Sequence, residues 1–464
     1  MVKISHLIAV SVFVCTMVAY SIFLILGRKW RKEFESEGVK YWNAPKEERL
    51  KELIQDVWKP KRISSLYFMA YFAEGYIRTA ITIWAPLFLL QVLKVSILEV
   101  ALFTGLMYVT WSWKMFIGMV SDAFPIKWRG RLYRRLPWFL LSGILTTGAS
   151  IPFLFQDPVN MPVWTVFFPA ITLILSADCI LDLAADTYVM DVCPPEWHAK
   201  VLGGVAFAAR SIGGVMAVTV PLMLIAIGGY RLVFLTSGFV GMLAFPCLLL
   251  KEPKLEKERV FSKRAIAFTF TEKTIPIMCI FDLGIALSPR AFASPIGGMF
   301  TLIAREVIGV SPESIAKFSL VALLAGVPGA LIGGWAADKW GHRRMFIIAH
   351  GIFAIVGILW ATLKFGMYSW FATVAIISGF MENFRSGSNM GVMADMTPIG
   401  LTSTVSQMYS SFVWIGGIIA SAIVGILLPK SLVLCIVVVS LLSGISLLAV
   451  QFVKPYEAAK SGKI

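Results

Sequence analysis

Residues 334–344 read GWAADKWGHRR: a glycine, an aspartate four positions later, and a short basic turn. An apolar run ends at Asp338 and another begins beyond Arg344, so the stretch reads as the tight connection between two long apolar helices. The same device occurs once more. Gly118 to Asp122 reads GMVSD and is followed by KWRGRLYRR up to Arg135, with an insertion that delays Gly130. A second correspondence joins VMDVCP at 189–194 to MADMTP at 393–398, a shift of 204 that also sets Asp178 opposite Glu382. Two copies of one plan, in register, make this a duplicated chain.

The composition says what is duplicated. Of 464 residues, 58% are hydrophobic and only 15% charged, against roughly 25% charged in soluble domains, and the mean hydropathy is +0.78. A water-soluble enzyme is excluded. A hydrocarbon core about 30 Å thick needs about 20 apolar residues per helix. By that rule the chain is an all-α polytopic membrane protein of one leader span and two groups of six. Core spans are expected near 65–93, 97–121, 137–156, 162–190, 201–228 and 231–250, then near 275–304, 314–337, 345–364, 368–395, 402–428 and 431–453. The organisation follows: an N-terminal transmembrane anchor (1–27), a charged cytoplasmic linker (28–63), a six-helix half (64–250), a central cytoplasmic loop (251–273), a second half (274–453) and a cytoplasmic tail (454–464). The leader is flanked by Lys3 before and by Arg28, Lys29, Arg31 and Lys32 after, the reverse of a cleaved signal peptide. With alternate loops cytoplasmic, thirty Lys and Arg fall on that side, six on the other and six within spans. This bias places the N-terminus outside and the C-terminus in the cytoplasm of a cell-membrane protein. The net charge of +15 therefore records orientation, and no nucleic-acid partner is called for. Six scattered cysteines and four distant histidines give no metal spacing or disulfide framework, and no cofactor is expected.

GWAADKWGHRR follows, almost residue for residue, the GxxxD-x-x-G-R/K-R/K loop of the major facilitator superfamily, which the chain resembles from Ser64 to Val453. The resemblance implies a twelve-helix fold of two six-helix halves, with the leader as an extra helix. It also implies a cavity lined by the first, fourth, seventh and tenth core helices. At branch level KMFIGMVSDAFPI (114–126) is similar to a stretch of folate-biopterin transporters, and RRLPW (134–138) to one of glycoside and cation symporters. Gly118, Asp122, Arg134 and Arg135, with Gly334, Asp338, Arg343 and Arg344, then form a cytoplasmic gate in which aspartate and arginine latch one conformer. Asp191 and Asp395, each three residues ahead of a proline, join it as gate or cap residues.

Ionisable residues inside the spans carry the chemistry: Glu74, Asp178, Asp182, Asp186, Asp282 and Glu382 against Arg78, Lys114, Arg210, Arg290 and Arg385. At roughly 2.5 to 3.5 kcal/mol each on insertion scales, they cannot all face lipid. Glu74 and Arg78 share a helix face, as do Asp178, Asp182 and Asp186, and as do Glu382, Arg385 and Asn389. Lys114 either pairs with an aspartate of the fourth span or snorkels. Ser288-Pro289-Arg290 and the SPIGG run at 294–298 break the seventh span. Glycines 213, 214, 329, 333, 416 and 417 allow close helix packing, whereas Trp111, Trp113, Trp360, Trp370 and Trp414 read mainly as interfacial anchors that could also stack on a flat ligand.

The expected activity is secondary transport by alternating access: a proton-coupled symporter, or facilitated carrier, of a small polar anionic organic solute, acting as a monomer among membrane lipid. Arg78, Arg210, Arg290, Arg385 and Asn389 are the candidate substrate ligands, since guanidinium forks match carboxylate or phosphate and stay charged when buried. Glu74, Asp178, Asp182, Asp282 and Glu382 are the candidate proton or ion carriers. Two alternatives stand beside this reading: sodium-coupled glycoside uptake, with the Asp178–Asp182–Asp186 ladder binding the ion, and a non-transporting receptor or assembly factor on a carrier fold. No nucleophile elbow, phosphate loop or metal motif supports an enzyme.

Overall fold

A computed structural model describes residues 57–95, 97–128, 131–252, 274–293, 298–397, 402–428 and 430–453, with isolated positions 18, 21, 22 and 25. The rest of the leader anchor, most of the linker, the central loop from 253, the SPIGG run up to 297 and the tail lie outside them.

In the first half α1 spans Pro60–Gln91, α2 Ile97–Ser112 and α3 Lys114–Ala123. A two-stranded hairpin follows, β1 (Ile126–Trp128) and β2 (Arg131–Tyr133), antiparallel with Lys127 opposite Leu132. The insertion that delays Gly130 is this hairpin. Next come α4 (Leu136–Ser150), α5 (Phe168–Val192) and α6 (Ala206–Phe239), the last entered through a π-helical turn, Ala199–Val205, and prolonged by a 3-10 run, Val240–Leu249. Within α6 the expected span boundary appears as a kink at Gly228 and Gly229, where Gly229 takes φ +69°, a conformation cheap only for glycine.

The second half comprises α7 (Thr274–Ala286), the short α8 (Arg290–Ala293), α9 (Gly298–Glu306), α10 (Pro312–Trp340), α11 (His342–Ile358), α12 (Tyr368–Asp395), α13 (Thr402–Leu427), α14 (Leu432–Leu442) and α15 (Gly444–Phe452). The helix ends have local causes. Ser311 and Ser431 accept hydrogen bonds from the N–H groups of Ser314 and Leu434, as N-cap residues do. The break between α7 and α8 falls at Pro289, which lacks the donor a helix interior needs. Among the described residues, six helical stretches are long and apolar enough to cross a membrane, covering 136–155, 163–192, 199–249, 314–340, 342–362 and 432–452. Of the other expected spans, 97–121 is interrupted at Trp113 and 275–304 at Pro289, and 65–93 and 368–395 carry interior charges.

The molecule is polar inside and greasy outside. Leu140, Ile144, Met223, Ile227, Ile355 and Leu448 are exposed, while Glu74, Lys114, Asp178, Asp282 and Arg385 are buried. Such a surface suits hydrocarbon, where a helix satisfies its own backbone and leaves apolar side chains facing lipid. Two aromatic clusters, Phe88, Phe153, Phe167 and Phe234 in one half and Phe300, Trp360 and Phe371 in the other, fill the end away from the basic turns. Trp360 is fully buried and donates to Ser378 Oγ at 2.9 Å, so it is a core residue and not an interfacial anchor.

The halves meet along two seams: α13 against α2 and α3, and α10 against α6. Met115 N donates to Ser411 Oγ at 3.0 Å on the first seam. Within the first half, a Cβ on Gly213 would enter the backbone of Phe72 and Tyr76, and one on Gly75 the backbone of Arg210. These glycines bring α1 and α6 into backbone contact, which lets charged groups on the two helices meet. Gly329 and Gly333 likewise lie against the carbonyls of Phe380 and Phe384. Gly417 differs from the expectation: a side chain there would meet open space.

Candidate functional site

The buried charges gather in two groups, one in each half. In the first, Glu74 and Arg78 form the ion pair their four-residue spacing predicts. Arg210 from α6 reaches both Glu74 Oε2 at 2.5 Å and Asp182 Oδ1 at 2.9 Å. Lys114 closes the chain by pairing with Asp182, which decides between its two sequence readings. The result is an alternating series, Arg78–Glu74–Arg210–Asp182–Lys114, contributed by α1, α3, α5 and α6. Two carboxylates flank it. Asp186 accepts from Tyr67 Oη at 3.0 Å and from Tyr71 Oη. Asp178 is fully buried and neither of its oxygens has a hydrogen-bond partner.

In the second half Arg290 Nε lies 3.5 Å from Glu382 Oε1, with their side chains 25% and 12% exposed, so this pair is only partly buried. Glu382 and Arg385 were read as sharing a face of α12, yet Arg385 points elsewhere. Its Nη1 donates to His350 Nδ1 at 3.4 Å, and the far side of that ring meets Ser446 Oγ at 2.8 Å. Asp282 is buried with both oxygens unpartnered, in the field of Arg290 and Arg385. Asn389 Oδ1 is also buried without a partner.

Two indoles join the groups across the seam. Trp111 and Trp414 have ring centroids 4.8 Å apart. Arg78 Cζ sits 3.9 Å over Trp111 and 5.2 Å from Trp414, and Arg290 Cζ 5.9 Å from Trp414. A guanidinium over an indole face is electrostatically favourable. Trp111 is 3% exposed, so it anchors no interface; it lies at the centre. Sequence reasoning missed Tyr67, Tyr71, His350 and Ser446. Their only signal is a polar group at helical spacing from a known charge.

At the end of the bundle that carries the basic turns, the gate candidates converge. Arg135 donates to Asp122 at 2.8 Å and to Asp191 at 2.9 Å, and Arg134 to Asp122 at 3.1 Å. Burial works against the Arg135 charge, but Asp191 and Asp122 outweigh it and its pKa moves up. Asp122 Oδ2 also crosses the seam, accepting from Thr404 N at 2.7 Å and Thr404 Oγ1 at 2.9 Å, and so caps the start of α13. Asp338 does the same for the other seam: its oxygens accept from Ala199 N at 3.0 Å and Lys200 N at 2.8 Å, where the π-helical turn into α6 begins. Each repeat thus holds the first turn of a helix in the other half, and a carboxylate at a helix N-terminus meets unpaired N–H groups and the positive end of the dipole. Gly118 and Gly334 let the seams close, since a Cβ on either would press on Ser403 or on Ala199 and Gly204. Arg343 and Arg344 depart from the expected latch. Arg343 reaches Gln451 O at 2.7 Å and Val453 O at 3.3 Å at the end of α15, and Arg344 is exposed. His342 takes their place, facing Asp338 Oδ1 at 3.0 Å and Asp395 Oδ2 at 2.7 Å. Glu252 was also missed: it accepts from the N–H groups of Arg134, Arg135 and Leu136 at 2.6, 2.8 and 2.6 Å, fixing the start of α4.

Two repeated helical halves, closed at one end around buried ion pairs, define the architecture of secondary transporters in a multi-pass membrane protein. A family model described as Major Facilitator Superfamily matches residues 115–421 and 291–463, and the chain belongs to that superfamily. Two crystal structures of a bacterial homologue of the iron transporter ferroportin, both outward-facing and one with soaked iron, are similar in fold. Each has a TM-score of 0.59 and 14% identity, covering 86% of this chain and 99% and 100% of the other. Among curated proteins no sequence matches.

Proposed function

We propose that the protein is a proton-coupled symporter, or facilitated carrier, of a small polar anionic organic solute, working by alternating access. The observation that carries this is Asp178: fully buried, both oxygens without a donor, one turn from Asp182. A bare carboxylate so placed costs far more than the neutral acid. Asp178 is therefore the carrier of the coupled proton, with Asp282 its counterpart in the second half and Glu74 and Glu382 the partners whose ion pairs rearrange. Arg290 and Arg385, with Asn389, offer the anion its site: Arg290 meets Glu382 only at 3.5 Å and Asn389 Oδ1 has no partner, whereas Arg78 and Arg210 sit in the close ion-pair series with Glu74 and Asp182. The engagement of Asp182 by Lys114 and Arg210, and of Asp186 by two tyrosines, favours this reading over a sodium site on the aspartate ladder. At 14% identity the ferroportin likeness speaks for the fold and leaves the cargo to these residues.

The test begins with thermal shifts of wild type and Arg385→Ala against organic acids, pterins, glycosides and peptides at two pH values. A solute that stabilises wild type alone is then followed in proteoliposomes. Asp178→Asn is expected to exchange that solute while losing accumulation driven by a pH gradient; accumulation at the wild-type level by this variant would overturn the assignment.

A further inference from the structure

We infer that His342 is a proton-binding site that makes closure of the basic end depend on pH. The two halves build the same bridge from different chemistry. In the first, the acid near the end of α3 (Asp122) and the acid near the end of α5 (Asp191) are joined by Arg135, a cation at any physiological pH. In the second, the corresponding acids are Asp338 and Asp395, and His342 joins them, Nε2 to Asp338 Oδ1 at 3.0 Å and Nδ1 to Asp395 Oδ2 at 2.7 Å. Ionised carboxylates only accept hydrogen bonds, and a neutral imidazole has one N–H. Both contacts are made together only by the doubly protonated ring.

The ring also touches the seam. Asp338, which it holds, is the residue whose oxygens accept from Ala199 N and Lys200 N of the other half. Loss of the second proton sets a nitrogen lone pair against one carboxylate and leaves two neighbouring anions with one donor between them. Asp338 is then pulled from, or neutralised at, its cap on α6. Closure is therefore complete with the ring charged and weakens as pH rises and the ring is neutralised. The other groups around the ring do not supply this response. His342 lies on Gly391 of α12. From the segment between α5 and α6, His198 lies in the ring's field, while Cys193 lies near Asp338 and Glu196, and Lys200 N binds Asp338. His198 Nε2 donates to Cys193 O at 2.9 Å, and burial pushes its pKa down, toward the neutral ring. The buried Cys193 thiol is pushed up, chiefly by burial. The basic neighbour Arg343 is committed to the carbonyls of Gln451 and Val453. The inference is independent of what is carried, and its test needs no solute.

Full-length protein carrying spin labels at Lys127→Cys and Gln451→Cys, one exposed position in each half at the basic end, with native cysteines replaced, reports the separation of the halves. Distances are read from about pH 5.5 to about pH 9.5, either side of the ordinary imidazole value near 6.5. Wild type is expected to gain a longer-distance population with rising pH, the open-to-closed ratio changing by about tenfold or more, the scale of one charge-assisted hydrogen bond. His342→Arg should keep the short distance throughout, as the Arg135 side does, and His342→Gln should show the longer population at every pH. A wild-type distribution that does not move with pH, or either variant tracing the wild-type pH curve, would overturn the proposal. Size-exclusion profiles establish that each variant is folded, and either variant alone suffices for the comparison.

Discussion

The cap that Asp122 places on α13 can be removed one atom at a time. Thr404 meets Asp122 Oδ2 through its N–H at 2.7 Å and its hydroxyl at 2.9 Å, with Asp122 3% exposed. Thr404→Ala deletes only the hydroxyl contact. A hydrogen bond to a charged group is worth about 1.5 to 3 kcal/mol, and about 1.4 kcal/mol is a factor of ten. Because Thr404 and Asp122 belong to opposite halves, the loss falls on the closed state, so the open-to-closed ratio should rise about ten- to a hundredfold. Asp122→Ala removes both contacts and should shift the ratio further. It also strips Arg135, 1% exposed, of one of its two counter-charges, at a cost in stability of about 3 to 5 kcal/mol. Thr404→Ala is therefore the cleaner variant, and its apparent Tm should stay close to that of wild type. The assay is the distance distribution between labels at positions 127 and 451, at fixed pH. If both variants give the wild-type distribution while remaining monodisperse, the cap does not hold the halves together and the gate reasoning fails.

Two further outcomes follow from the packing. Glu74→Gln leaves Arg78 and Arg210 buried without their shared anion, and should lower stability by about 3 to 5 kcal/mol; adding Arg210→Gln should recover part of the loss, as a thermal-melt double-mutant cycle would show. Gly387→Val places a side chain against the backbone of Gly333 and Gly334 in α10, an overpacking worth about 1 to 3 kcal/mol. It should raise cysteine accessibility at the basic end, and unchanged labelling there would remove Gly387 from the closing surface.

Much of this architecture could be read from residue order, because the information is local or periodic. A run of about 20 apolar residues must become a helix in lipid, so the extent of α12 (Tyr368–Asp395) and the break at Pro289 match the reading of the chain. The repeated aspartates could be placed at helix ends because glycine, aspartate and the basic turn keep their spacing in both halves. The Glu74–Arg78 pair follows from helical periodicity alone. What the sequence could not determine is which groups meet between helices. That depends on the rotation and crossing of each helix, set by close approaches such as those at Gly75 and Gly213. Hence Arg385 meets His350 and not Glu382, two tyrosines hold Asp186, and a histidine stands where arginines were expected beside Asp338. Sequence fixes a side chain's position along its own helix; only tertiary packing, which sums many small contacts from distant parts of the chain, decides its partner.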